Sequence, residues 1–239
     1  MMLNVSKCKH IRFGNKNPTL SYSLKDIPLE PVASECDLGV IIDDHLTFSS
    51  HVSKLCVKLY YIAKGILFAF SSTSLSFYTS MFSIYIKPVL IYGFPCWFPL
   101  FKKDLLKLDK FLNYFTKQAY RKCRILASDS RSRLEYMKME PVEHMFVKVG
   151  LLYMFKIVHN YAEKPRFFPA FSMSSTRGHG FKLYVEYSRL NVRKNVFFLK
   201  LIKIWNALPS HVVEQASISS FKKYMYTSDF VALLSLVDA

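Results

Sequence analysis

From Lys102 to Arg133 the chain is crowded with cations, and cations at helical spacing can do one kind of chemistry: they neutralise phosphates. Lys102, Lys103, Lys107, Lys110, Lys117, Arg121, Lys122, Arg124, Arg131 and Arg133 stand there with few acids among them. Lys103, Lys107 and Lys110 recur at four- and three-residue steps, so on a helix they share the face opposite Leu105, Leu108 and Leu112. Such a ridge can track a phosphate backbone, with an affinity that falls steeply as salt rises. A merely solvated basic face is the other reading of the same pattern. Lys103, Lys107, Lys110, Lys117, Arg121 and Arg124 form the candidate nucleic-acid-binding set. Tyr114 and Tyr120 lie in the same stretch and could stack on bases, although aromatics at that spacing more often fill a core.

Other chemistries find less support. Asp43-Asp44 is an adjacent carboxylate pair, the residue type that holds divalent metals for nucleotidyl transfer. It follows the β-branched run Leu38 to Ile42 and reads as the turn that ends a strand. His45, His51, His144, His159, His179 and His211 are scattered and none pairs with a credible nucleophile, so Ser/His/Asp catalysis is not indicated. His51 reads as a helix-surface residue and His179 as part of a loop. Cys8, Cys36, Cys56, Cys96 and Cys123 are widely spread with no CxxC, which indicates neither a zinc site nor a disulfide framework. No metal site is expected. A reducing intracellular compartment is the natural reading, with nucleus and cytoplasm not distinguished.

The elements that must position these residues follow from composition and periodicity. Half of the 239 residues are hydrophobic and 16 % are aromatic, which argues against disorder. A net charge of +16 needs a counter-charge, for which nucleic-acid phosphate and anionic lipid are the usual partners. Met1 to Gly14 is basic and mixed without an apolar core, so no signal peptide is expected. No charge lies between Lys64 and Lys87, nor from there to Lys102. The hydroxyl run Ser71-Ser72-Thr73-Ser74 and the prolines Pro88, Pro95 and Pro99 interrupt that stretch. Two buried helices joined by a polar turn fit it better than a membrane span of about 20 residues.

The start of the chain reads as β: strands are expected at Lys9 to Phe13, at Leu20 to Leu24 by alternation, and at Leu38 to Ile42. Asn15-Lys16-Asn17-Pro18 is turn chemistry. From Thr47 the period becomes helical, with Val52, Leu55, Cys56, Leu59, Ile62, Ala63 and Ile66 on one stripe. Further helices are expected over Ser74 to Tyr92, Lys103 to Lys122, from an Asp129 cap to Met139, and from Pro141 to about Tyr161. Val196 to Leu208 and a last short helix capped by Ser217 complete the chain. The expected class is α+β, predominantly α: a small N-terminal β-meander followed by a helical bundle.

Taken in order, these segments resemble the back half of a reverse transcriptase of the non-LTR (LINE) type, closest to the jockey and CR1 groups. Leu3-Asn4-Val5-Ser6-Lys7-Cys8 matches a Leu-Asn-x-x-Lys-Cys block that ends the palm. Leu38-Gly39-Val40-Ile41-Ile42 matches the Leu-Gly-Val-x-Ile hairpin, which implies that Leu38, Gly39 and Val40 belong to a primer grip. Lys87-Pro88-Val89-Leu90-Ile91-Tyr92-Gly93, then Trp97 and Pro99, match elements of the thumb, as does the helix ending Phe115-Thr116. Thr176-Arg177-Gly178-His179 with Lys182-Leu183, and Asn195 to Val213 with its Trp205-Asn206-Ala207-Leu208-Pro209, match blocks beyond the thumb.

The resemblance implies a palm remnant and primer-grip hairpin over 1–46, a helical thumb over 47–164 and a post-thumb region over 165–239. It implies an RNA-directed DNA polymerase as the parent enzyme, with Mg2+ as its cofactor. The match starts after the point where that family keeps its catalytic aspartates. Asp43-Asp44 follows Ile41-Ile42 instead of an aromatic-x pair, so no cofactor is expected in this chain. Lys7 stands where the family places a basic residue near the incoming pyrophosphate, a general-acid candidate whose alternative is a surface lysine. His144 and Lys148 replace the arginines found after Pro141, and such departures imply weak binding. The expected function is a polymerase fragment that retains template–primer or RNA binding at most, with no specific protein partner. The competing readings are a basic α-rich interaction protein, membrane-associated through residues 66–100, and an unstable product with exposed strand edges.

Overall fold

Short, turn-punctuated segments near the N-terminus give strands too brief to bury a face, and the long amphipathic segments after Thr47 give helices. The fold is α+β and predominantly α. The computed structural model describes residues 4–14, 18, 20–126, 129–163, 171, 179–185 and 197–237. The chain forms two compact units, Met1–Met137 and Lys138–Ala239. The stretch 47–164 that the resemblance assigns to a thumb is therefore divided between them.

In the first unit the strands are β1 (Lys9–His10), β2 (Ser23–Leu24), β3 (Ile27–Pro28), β4 (Glu30–Pro31), β5 (Ser34–Asp37) and β6 (Val40–Asp43). They do not make the expected meander. They form three separate pairs: β1 with β4 in parallel, β2 with β3 antiparallel, and β5 with β6 antiparallel. The expected strand at Leu20 to Leu24 shrinks to its last two residues, with Leu20 53 % exposed, because no neighbouring sheet offers it an apolar face. Both hairpins close through two-residue turns with positive φ at both positions, Lys25-Asp26 at 53° and 61° and Leu38-Gly39 at 45° and 84°. This turn geometry matches the right-handed twist of the flanking strands. Leu38 is thus not in a buried strand as its β-branched neighbours suggested. It is the tip of a hairpin, 83 % exposed, and only Val40 of its motif is buried.

Two long helices form the body of this unit: α1 (Ser49–Ala69) and α5 (Lys102–Lys122). The expected α1 stripe is the buried one, with Val52, Leu59 and Ala63 fully enclosed. Ser49 meets Asp104, Ser53 meets Lys107 and Tyr60 meets Phe111, so the two helices run parallel with their N-termini together. Between them the chain crosses through α2 (Leu75–Met81), a π-helical segment Phe82–Ile86, α3 (Lys87–Ile91) and α4 (Phe94–Trp97).

The run expected as one helix from Ser74 to Tyr92 is continuous from Leu75 to Ile91, but it is widened in its middle. Pro88 has no N–H for the carbonyl four residues back, and the wide turn relieves this by letting Lys87 N–H reach Phe82 O, five residues back. No helix among the described residues is long and apolar enough to cross a membrane. α6 (Ser130–Tyr136) starts at the expected cap, with Asp129 accepting from Arg131 N–H at 3.0 Å and Ser132 N–H at 3.3 Å.

The second unit contains α7 (Val142–Val158), α8 (Phe197–Ala207), α9 (Ser210–Val213), α10 (Ile218–Tyr224) and α11 (Ser228–Val237). Ser217 caps α10 as expected, accepting from Ser220 N–H at 3.2 Å. α10 is not the last helix: Phe230 and Leu234 of α11 are buried, and Thr227-Ser228-Asp229 at its start is a helix-start signal that the sequence reading passed over. The core of this unit is largely aliphatic and encloses an aromatic cluster. Phe155 stacks on Phe221 at 4.3 Å between ring centres, and Trp205 lies beside Phe221 at 6.1 Å.

Candidate nucleic-acid interface

The basic ridge sits on α5. Its apolar side buries Leu108, Phe111, Leu112, Phe115 and Ala119. Lys103, Lys110, Lys117 and Arg121 lie on the opposite side and are exposed, and Arg124, at a φ of 58°, is exposed just past the helix end. The four helical positions fall seven, seven and four residues apart, which keeps them on one face.

Lys107 departs from the expected set. Its ammonium donates to Asp104 Oδ1 at 2.8 Å and to Ser53 Oγ at 3.1 Å. Asp104 is completely buried and also accepts from Ser49 Oγ at 2.5 Å. Lys107 is therefore the counter-ion of a buried carboxylate at the paired N-termini of α1 and α5, a site where helix dipoles favour negative charge. Its ammonium is directed at Asp104 and Ser53 as a hydrogen-bond donor, an arrangement that serves the buried carboxyl and not a Ser–Lys catalytic pair. Arg133, counted in the basic crowd, is also withdrawn: it is buried and donates to Asn113 Oδ1 and to Thr116 Oγ1, holding α6 on α5. Tyr120 is buried, and Tyr114 packs on Tyr60 at 5.0 Å, so neither ring is free to stack.

The hairpin tip docks on the segment that carries the Lys-Pro-x-Leu-x-Tyr-Gly motif. Tyr92 OH donates to Leu38 O at 3.0 Å, and a side chain at Gly93 would meet Val40 at 3.3 Å. Trp97, fully buried, donates its indole N–H to Tyr92 O at 2.6 Å. A cavity of about 560 Å3 opens beneath the tip, lined by Gly39 and Tyr92 on one side and Lys54 and Lys58 of α1 on the other. Lys7 stands exposed at the end of a short 3-10 turn, Val5–Lys7, whose backbone closes on Asn4 O at 3.2 Å.

Asp43 and Asp44 do not fit a metal site. Both oxygens of Asp43 are occupied, Oδ1 by Thr47 N–H (2.9 Å) and His45 N–H (3.2 Å), Oδ2 by Phe48 N–H (2.8 Å) and Thr47 Oγ1 (3.2 Å). Partial burial alone would raise this carboxyl's pKa, but the hydrogen bonds outweigh it and hold the group below its usual range. Asp44 is paired with His45 at 2.6 Å. The pair organises the loop that leads into α1. Among the described residues no three His, Cys, Asp or Glu side chains converge. The Cys56 thiol, pushed up to about 11 by burial, is a core group and not a nucleophile.

In the second unit two sequence motifs prove to be one structural latch. His179, with Phe181 and Leu183 after it, lies against Trp205 and Asn206. His179 Nε2 bonds Trp205 O at 3.0 Å, Trp205 Nε1 donates to Phe181 O at 2.9 Å, and the Asn206 amide pairs with both backbone groups of Leu183 at 2.8 and 2.9 Å. Thr176, Arg177 and Gly178 of the same motif, like Leu3 and Asn195, lie outside the described residues. Lys148, where the resemblance implies an arginine, pairs with Glu140 and lies over the Tyr226 ring at 4.3 Å.

Comparison with known proteins adds one relative. The chain is 23 % identical over 133 residues to an uncharacterized protein of Caenorhabditis elegans, covering 56 % of this chain. It spans 65 % of the length of that relative. No family model matches the chain, and no solved structure matches it.

His51 was expected on a helix surface and is instead 6 % exposed. Its Nδ1 accepts the Ile41 N–H at 3.3 Å and its ring meets Trp97 edge-on at 4.8 Å, which joins α1 to β6 and α4. The sequence signal was available: His51 stands four residues before Leu55 and eight before Leu59, on the apolar stripe. Burial, and then the Lys54 ammonium, pull its pKa below the usual histidine range. The unfolded chain therefore takes up a proton near pH 6.5 that the folded one refuses, so the contribution is complete above that pH and declines as pH falls. His45, raised by its hydrogen bond to Asp44, has the opposite sign but is solvent-exposed. Urea unfolding followed through Trp97 in a Trp205→Phe background should show stability falling from pH 7.5 to 5, by at most about 1.4 kcal/mol per pH unit. His51→Asn should flatten that slope; an unchanged slope contradicts the assignment.

Proposed function

We propose that this chain holds nucleic acid, as the primer-grip and thumb portion of a reverse transcriptase of the non-LTR type, and carries out no polymerisation itself. The observation that carries the reading is the α5 ridge: Lys103, Lys110, Lys117 and Arg121 exposed on one face, with Arg124 exposed just past its end, in a chain of net charge +16. Two further observations support it. The Leu38-Gly39 tip and the Tyr92-Gly93 motif, far apart in sequence, touch each other, and Lys54 and Lys58 contribute to the mostly apolar wall of the cavity beneath the tip. The Asp43-Asp44 carboxylates are committed to loop structure, which leaves no metal-holding pair there to drive nucleotidyl transfer.

The test is a gel shift with an RNA–DNA hybrid across a salt series. Binding should weaken steeply with salt, and Lys110→Gln, Lys117→Gln and Arg121→Gln should each lower the salt slope by about one unit. Flotation with anionic liposomes and no retention of the hybrid would favour the membrane-associated reading. Primer extension by the purified chain with Mg2+ and nucleotides would overturn the non-catalytic part.

A further inference from the structure

α1 has a second face that the core leaves uncovered. Lys54, Lys58, Tyr61, Lys64 and Phe68 follow at steps of four, three, three and four residues, so they line one side of the helix over about 21 Å. All five are exposed, Tyr61 at 80 % and Phe68 at 92 %, and Val57 beside them is at 70 %. The helix contains no acidic residue. A phenylalanine almost wholly in water on a regular helix is not explained by packing, since the opposite stripe already seats α1 against α5. At its Lys54 end the face runs into the cavity beneath the hairpin tip, where Lys54 and Lys58 form one wall.

We propose that this face binds single-stranded nucleic acid, with bases stacked on Tyr61 and Phe68 and phosphates held by Lys54, Lys58 and Lys64. The inference rests on the reading that the chain holds nucleic acid, and it adds a strand preference. The α5 ridge offers charge alone and serves any phosphate backbone. α1 interleaves charge with ring faces, and only unpaired bases can be splayed onto them. Its positive charge complements the phosphates.

Fluorescence anisotropy of the full chain with a labelled oligouridine, and with a labelled RNA–DNA duplex, tests it. The Tyr61→Ala/Phe68→Ala double variant should lose at least about tenfold in affinity for oligouridine and less than about twofold for duplex. The α5 variant Lys110→Gln/Lys117→Gln/Arg121→Gln should weaken on both probes. Both aromatic side chains are exposed, so an unchanged thermal midpoint certifies the fold of the double variant. Unchanged oligouridine affinity in the double variant, with the duplex still bound, overturns this inference and leaves the proposed function standing. Binding of neither probe by the wild-type chain overturns both. Loss of flotation with phosphatidylserine vesicles, without loss of oligouridine binding, would make this a lipid-facing surface and would likewise overturn the inference.

Discussion

Replacing Lys107 with methionine should lower the stability of the first unit by about 3 kcal/mol, far more than loss of a surface lysine. The reason is the carboxylate left behind. Asp104 has no exposed surface, whereas its partner keeps 42 % of its side chain in water. Removing the lysine strands a buried charge with the Ser49 hydroxyl as its remaining direct side-chain donor. The partial exposure of Lys107 lets water temper the penalty, which puts the effect at the low end for a broken buried pair.

Adding Asp104→Leu to Lys107→Met should restore most of the loss, because an apolar pair of similar size needs no desolvation of charge. Urea denaturation of the two single variants and the double variant gives the coupling directly. Additive effects would show that the pair does not act as a unit. Lys107→Met should also leave the salt slope of nucleic-acid binding nearly unchanged, unlike Lys110→Gln.

Trp205→Ala should cost the second unit about 4 kcal/mol, a loss that leaves little of a typical domain's stability. The indole is completely buried and its N–H satisfies Phe181 O, so the truncation opens a large void and orphans a carbonyl at once. Trp205→Phe removes only the hydrogen bond and part of the volume, and should cost less than half as much. Hydrogen exchange would localise the damage: faster exchange in 142–158 and 197–224, with α1 and α5 unaffected. Equal loosening in α1 would contradict the division into two units.

The helices were legible in the sequence wherever one face stays apolar over several turns. α1 and α5 lie within two residues of their expected starts, and the Asp129 and Ser217 caps are where hydroxyl and carboxylate chemistry puts them. The strands were less so. Two-residue pairings carry almost no periodic signal, and the parallel β1–β4 contact joins segments that no local pattern relates. Leu38 was misplaced because a leucine at positive φ is uncommon, so the run was read through it when the turn takes it.

For the candidate site, the ridge was readable as a list of cations, but their fates were not. Asp104 looks like one acid among many lysines until tertiary packing buries it and ties the Lys107 ammonium to it. Arg133 is lost the same way, to Asn113 and Thr116. The second face of α1 was not legible, because its aromatics look like core until their exposure is known.

The widened turn at Phe82–Ile86 fixes the rotational phase of everything that follows it. A π turn holds one residue more than an α turn of the same rise, so Lys87–Ile91 arrives rotated by about 100° from where an unbroken helix would have put it. With that change of phase, Tyr92 donates to the Leu38 carbonyl and Gly93 lies against Val40. A chain one residue shorter here would heal the helix and swing Tyr92 away, uncoupling the hairpin from Trp97. The irregular turn thus works as a clocking device between two motifs whose contacting residues lie 54 positions apart.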